Sequence, residues 1–322
     1  MQSAIIELRK SLARYDAREA QSIIDLLLDE VCHISRIDRI LSPDLVLPEG
    51  QRSQLLACAE QLRQGVPVQQ ALGYEWFCGE RFKVTPDVLI PRPETAELVD
   101  WICKDIEQLR STNPEETRQQ DISILDIGTG SGCIAISLAR LINNSQVLAI
   151  DISTAALNVA CENSCQQGVE NVYFSQCDIL SAVDNLDFEQ QVCSQLSTYQ
   201  PRCSKDCQQQ FSNGFTQEKQ VFNIIVSNPP YICQQETKDM SSIVLDHEPS
   251  QALFVPDNDP LLFYRAIAKF GCGHLSTDGC LYFEINAAYG AETCAMLQEM
   301  GYKDVELRQD INGRDRMVKA CK

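Results

Sequence analysis

The sequence predicts an α/β protein: a mainly parallel, doubly wound sheet behind a small N-terminal helical domain and a β-hairpin connector. Three observations predict it. From Ile122 onward, apolar runs of strand length alternate with amphipathic runs of helix length ("ISILDIG", "CIAISLARLI", "QVLAID", "TAALNVACENS"). That βαβ rhythm lays strands parallel and covers both faces of the sheet with helices. The chain before Gly73 carries only helical periodicity, and the last two apolar runs, "VELRQD" and "DRMVKA", meet at Asn312-Gly313, a dipeptide that closes antiparallel hairpins.

The elements follow in order. Asp16 and Glu19 form an N-cap and N3 pair, read as a capping box. Ile24, Leu27, Leu28 and Val31 then recur at i, i+3, i+4, i+7, and Leu55, Cys58, Ala59 and Leu62 mark a second helical face. Residues 1–73 are therefore expected to form a helical domain, and, with no Gly-rich loop or paired carboxylates, one for substrate recognition or packing rather than chemistry. Residues 74–92 form the connector, with Trp76, Phe77 and Phe82 around a Cys78-Gly79-Glu80 turn. Residues 93–322 form the main domain, opening on a helix with Leu98, Val99, Ile102 and Ile106, then the polar loop "RSTNPEETRQQ". "VYFSQCD", "FNIIVS" and "CLYFEI" complete the five strands that precede the final hairpin, making seven. One stretch breaks the rhythm. Leu180 to Gln220 is rich in Gln, Ser and Cys with weak periodicity, and reads as a mobile insertion on the rim of the sheet over 181–220.

Bulk numbers narrow the function. The chain has 322 residues and a formal charge of −18, with no Lys/Arg cluster longer than a pair. Binding driven by phosphate neutralisation needs a basic surface, so a nucleic-acid partner is disfavoured. No apolar run is long enough to cross a bilayer, and the charged, amphipathic start lacks a signal-peptide core, so a cytoplasmic location without membrane contact is expected. Sixteen cysteines are scattered without a CxxC pair. Cys161/Cys165 and Cys203/Cys207 have CxxxC spacing, but the reading adopted is reduced thiols acting as small hydrophobes, with no metal.

"LDIGTGSG" places Gly128, Gly130 and Gly132 between a strand and a helix N-terminus, where backbone can approach a nucleotide closely. Asp151 ends the next strand, where a carboxylate accepts from both ribose hydroxyls. Asp178 ends the third, as either a ligand to an adenine amine or a loop cap. A dinucleotide fingerprint would read G-x-G-x-x-G; G-x-G-x-G followed by a fourth strand ending in Asn-Pro-Pro-Tyr points instead to S-adenosylmethionine.

The run "FNIIVSNPPYI" turns from a buried strand to an amide, two prolines and an aromatic ring. Two prolines fix two φ angles and remove two donors, leaving stiffly held acceptors beside Tyr231. Such a cluster suits a planar NH2 group.

With "FKVTPDVLIPRPET", "LDIGTGSGCIAISLA" and "HEPSQALF", this motif resembles the PrmC/HemK family over nearly the whole chain. The resemblance implies a Rossmann-like class I S-adenosylmethionine-dependent methyltransferase acting on the glutamine of the Gly-Gly-Gln loop in peptide chain release factors, as a monomer. It implies Asn228, Pro229 and Tyr231 as catalytic residues, with Pro230 joining them in holding substrate. It assigns Gly128, Thr129, Gly130, Ser131, Gly132, Asp151, Asp178, Ile179 and Asn228 to the cofactor. Arg92 and Glu94 are open between orienting substrate and starting a helix, and His247 and Glu248 between an acid–base pair and loop packing, the latter preferred. Members of the family are shorter at Leu180–Gln220. The rivals are a glutamine methyltransferase of a ribosomal protein, an adenine N6-methyltransferase of DNA or RNA, which shares Asn-Pro-Pro-Tyr, and a cofactor-binding module without turnover.

Overall fold

The computed structural model describes residues 2–42, 45–112, 121–183, 188 and 221–322. The chain divides into two compact units, Met1–Glu75 with Ser241–His247, and Trp76–Met240 with Glu248–Lys322. The return of 241–247 to the first unit was not legible in the sequence.

In the first unit, α1 (Gln2–Ser11), α2 (Ala17–Cys32), α3 (Arg36–Leu41), α4 (Glu49–Arg63) and α5 (Val68–Leu72) surround one apolar core. Leu8, Leu27, Leu28, Leu55 and Leu62 are fully buried in it, as the helical spacing requires. Asp16 caps α2 by accepting from the Arg18 and Glu19 amides. The reciprocal box itself closes one helix later, between Ser35 and Asp38 at the start of α3. Gln70 Nε2 donates to the His247 carbonyl at 2.9 Å, holding the returning helix Ser242–His247.

The connector is a hairpin of β1 (Tyr74–Phe77) and β2 (Glu80–Lys83). Cys78 and Gly79 sit at φ 48° and 81°, the two left-handed positions of a tight primed turn. Phe77 and Phe82 meet edge to face at 5.8 Å, while Trp76 stays half exposed beneath the Arg81 guanidinium.

The second unit then adds α6 (Pro93–Thr112), β3 (Ile122–Ile127), α7 (Cys133–Leu141), β4 (Ser145–Asp151), α8 (Thr154–Gln167), β5 (Val172–Gln176), α9 (Ile179–Ala182) and β6 (Phe222–Ser227). It closes with α10 (Leu262–His274), β7 (Leu275–Glu284), α11 (Gly290–Glu299), β8 (Lys303–Gln309) and β9 (Asp315–Cys321). The seven-stranded sheet runs β8-β9-β7-β6-β3-β4-β5, parallel except that β9 is antiparallel to both neighbours.

Alternation explains the two-sided core. Ile124, Val147, Phe174 and Val226 face α6, α7 and α8 on one side, while Leu125, Leu148, Ile225 and Leu281 face α10 and α11 on the other. The strand order reverses between β3 and β6, and ligands of open α/β sheets bind in the crevice at such a point.

Most of the 181–220 insertion lies outside the described residues, as do Cys203, Cys207 and most of "RSTNPEETRQQ". Phe188, within the insertion, is buried with its ring against Phe270 and His274, so this stretch contributes a core side chain that its composition did not advertise. The uniform reading of reduced thiols needs one correction. Cys280 and Cys321 stand opposite each other in the β7–β9 pairing and are joined by a disulfide. Among the described residues, no group of potential ligands could hold a metal ion, and no helix is long and apolar enough to cross a membrane.

Candidate active site

A cavity of about 280 Å³ opens at the carboxyl ends of β3, β4, β5 and β6, within the second unit. It brings together Gly128, Thr129, Gly130, Ser131, Asp151, Asp178, Ile179, Asn228, Pro229 and Pro230. Gly132 and Tyr231 are the two predicted site residues that do not line it.

The glycine loop is shaped from below. Gly128 and Gly130 adopt φ 74° and 56°, and a Cβ on either would meet no protein atom, so their bare backbones border open space. Gly132 has a packing role instead: a Cβ there would lie 2.9 Å from Ile136 and 3.1 Å from Ala160, where α7 and α8 touch. The amides of Gly128 and Thr129 donate to the Ile150 carbonyl at 2.8 and 3.0 Å, tying the loop to β4. Thr129 Oγ1 donates to Asp126 Oδ2 at 2.6 Å. Fully buried, Asp126 has its pKa pushed up to about 7 by loss of hydration. Asn163 Nδ2 on α8 donates to the Ser131 carbonyl at 2.8 Å and to the Lys83 carbonyl, fastening the loop to the hairpin.

Asp151 receives the Gly130 amide on Oδ2 and the Ser153 amide on Oδ1, both at 2.9 Å. Burial nevertheless raises its pKa. Each carboxylate oxygen keeps acceptor capacity for a ligand in the cavity. Asp178 caps α9, accepting from the Leu180 amide and the Ser181 hydroxyl, and also lines the cavity. Of the two readings offered for it, the cap is present.

Asn228, Pro229 and Pro230 follow the end of β6 and line the cavity. Ser227 Oγ donates to the Ile127 carbonyl at 2.7 Å and holds the end of β6 to β3. Tyr231 turns into the core, where its hydroxyl donates to Glu284 Oε1 at 3.2 Å. Burial, then the charge of Glu284, pushes the Tyr231 phenol well above its ordinary pKa. Asn286 Nδ2 donates to the Tyr231 carbonyl at 3.0 Å and to Glu236, anchoring the same turn from the other end.

The "IPRPET" and "HEPSQAL" motifs meet through Arg92 and Glu248. Glu248, buried, accepts from Arg92 Nη2 at 2.5 Å and from the Ile90 amide at 3.2 Å. That is a packing role for Glu248; His247 is grouped with the first unit. Arg92 also lines the cavity, and Glu94 sits in the first turn of α6.

Sequence reasoning passed over Thr95, Asp126, Asn163 and Glu284. For Glu284 the signal was present: a carboxylate at the end of the apolar strand "CLYFEI" must find partners or stay neutral.

The strand order, the glycine loop and the cavity at the switch point define a methyltransferase domain of the Rossmann-like class. Residues 118–253 match the model described as a methyltransferase domain, and residues 3–73 match the PrmC N-terminal domain. A release factor glutamine methyltransferase from Flavobacterium psychrophilum is 39% identical, covering 95% of this chain and 93% of its own. One from Bacteroides thetaiotaomicron is 38% identical over 95% and 94%, and one from Bacillus subtilis 33% identical over 94% and 92%. The chain belongs to the release factor glutamine methyltransferase family.

Proposed function

We propose that the chain transfers a methyl group from S-adenosylmethionine to the side-chain amide nitrogen (N5) of the glutamine in the Gly-Gly-Gln motif of peptide chain release factors. The observation that carries this reading is the placement of Asn228 and Pro229 at the same cavity as the glycine loop and Asp151. Two rigid acceptors thus stand beside a site suited to a nucleoside.

The residues fit the cofactor. Gly128 and Gly130 leave open space where side chains would otherwise project, and Asp151 is held in place by two backbone amides with lone pairs to spare for ribose hydroxyls. When bound, the cofactor supplies an electrophilic methyl group on a positively charged sulfur. Gly128, Thr129, Gly130 and Ser131 would border it, with Asp178 and Ile179 toward the base.

The amide nitrogen is a poor nucleophile because its lone pair is delocalised into the carbonyl. As it bonds to the methyl carbon it gains positive charge and becomes tetrahedral. The Asn228 side-chain oxygen and the Pro229 carbonyl accept from its two hydrogens, and both bonds strengthen as charge develops. This lowers the barrier without a general base; the extra proton departs to water after transfer. Pro230 stiffens the turn, and Tyr231 holds it from behind through Glu284. A release-factor substrate also fits a cytoplasmic enzyme.

Asn228→Ala should lower single-turnover methylation of release factor by roughly 10²–10³ at saturating cofactor, the effect of removing one preorganised transition-state hydrogen bond. Asn228→Asp retains an oxygen and should fall between the wild type and the alanine variant. Wild-type turnover by the alanine variant would reduce the motif to a structural turn.

A further inference from the structure

The side chains behind the Asn-Pro-Pro-Tyr turn form a chain of hydrogen bonds that methyl transfer as described does not explain. Glu284, the last residue of β7, is 1% exposed. Its Oε2 accepts from the Thr95 hydroxyl at 2.6 Å, and its Oε1 from the Tyr231 hydroxyl at 3.2 Å. Thr95, buried in the first turn of α6, in turn accepts from Asn228 Nδ2 at 3.2 Å.

The direction of these bonds carries information. A hydroxyl has one proton. With Glu284 ionised, that proton points at the carboxylate, and Thr95 Oγ1 offers Asn228 only lone pairs. The NH2 end of the Asn228 amide is then the only end that can meet Thr95, which leaves Oδ1 unengaged by it. Turned the other way, Asn228 would present N–H donors to a substrate NH2 group, donor against donor.

We propose that Glu284 and Thr95 are positioning residues: relayed through the Thr95 hydroxyl, the Glu284 carboxylate fixes the orientation of the Asn228 amide so that its oxygen meets the methyl-accepting nitrogen. This rests on the reading of Asn228 given above. Losing orientation alone, with two equally populated rotamers, costs only about twofold. The greater effect is positional, since Nδ2 loses its buried anchor and a misplacement near 1 Å costs on the order of 10²-fold.

The relay predicts a pH signature. Glu284 faces the Thr95 hydroxyl and Glu94 from α6, the Tyr231 hydroxyl from the turn, Tyr264 from α10 and Arg316 from β9. Burial raises its pKa, opposed by the Thr95 bond, the Arg316 charge and the Tyr231 bond, while Glu94 adds to the rise. Protonated, Glu284 can donate to Thr95 and free the threonine proton to point at Asn228, favouring the wrong amide orientation. Turnover is therefore lost as pH falls through the folded-state pKa of Glu284. Glu284→Gln removes the ionisable group, so its rate should lack that acid limb.

The deciding experiment is single-turnover methylation of release factor at saturating S-adenosylmethionine by the full chain and its T95V, T95S, N228A and T95V/N228A variants. Valine keeps the volume of Thr95 and removes the relay. T95V should lower the rate about 10–100-fold with cofactor affinity unchanged. T95S should restore it to within about threefold, and T95V should have no further effect in the N228A background. A wild-type rate for T95V, or an equal loss with and without Asn228, would overturn the relay while a defective N228A upholds the role of Asn228. A wild-type rate for N228A would overturn both. Should the Glu284 variant fail to fold, the threonine pair decides alone.

Discussion

Asp151 shows how one side chain serves two loops, the glycine loop after β3 and its own after β4. Its carboxylate holds the Gly130 and Ser153 amides and borders the cavity, so its position is fixed before a ligand arrives. Asp151→Ala should weaken S-adenosylmethionine binding by about 1.5–3 kcal/mol, the cost of a lost charge-assisted hydrogen bond. Calorimetric titration measures this, and unchanged affinity would remove the ribose role. Asp126, four residues along the same motif from the cavity-lining Gly130, makes a stability prediction. Unfolded, its carboxyl loses its proton near the ordinary 3.8; folded, it keeps it to about 7. Between those values the folded state binds the extra proton, so this residue's contribution is full below the lower value and is lost as pH rises through the upper one. Asp151 and Glu284, also raised, act with the same sign. Asp126→Asn should therefore flatten the fall in unfolding midpoint between about pH 4 and 7. A slope identical to the wild type would contradict the assignment. At this scale the sequence displayed the motif residues but not their supports. Asn228, Asp151 and the glycines stand in recognisable spacing, whereas Thr95 and Glu284 lie 189 positions apart and meet only when α6 packs on the sheet.

Elements were legible where a single physical cause sets them. Strands buried on both faces, such as β3, β4 and β6, read as nearly continuous aliphatic runs because the helices of a βαβ unit leave little polar face to interrupt the pattern, and all seven expected strands are present. The hairpin around Asn312-Gly313 also forms, its strands joined by a loop from Asp310 to Arg314 in which Gly313 takes φ 74°. What failed to show was long-range. The return of Ser242–His247 to the helical unit, the Cys280–Cys321 pairing and the burial of Phe188 each depend on partners far away in sequence. Of these, Phe188 is the most directly tested. Its ring fills space against Phe270 and His274, so Phe188→Ala should cost about 3–5 kcal/mol, the usual range for deleting a buried phenyl group. Denaturant unfolding of the variant checks it; a loss below ~1 kcal/mol would contradict the burial of Phe188.

For the whole molecule, charge and site point to the same partner. A net charge of −18 opposes the phosphate contacts that hold most nucleic-acid methyltransferases to their substrates, although Asn-Pro-Pro-Tyr serves an adenine amine as well as a glutamine amide. The chemistry of the turn therefore leaves the substrate open between two planar NH2 groups, and electrostatics favours a protein. The resemblance to a ribosomal-protein sibling is separated only by which glutamine is modified. The direct measurement is incubation of the full chain with methyl-labelled S-adenosylmethionine and, in parallel, release factor, ribosomal protein, DNA and RNA, with the label mapped by mass spectrometry. One methyl group is expected on the glutamine of the Gly-Gly-Gln motif of release factor and none on nucleic acid. Label on adenine, or on release factor at any residue other than that glutamine, would contradict it.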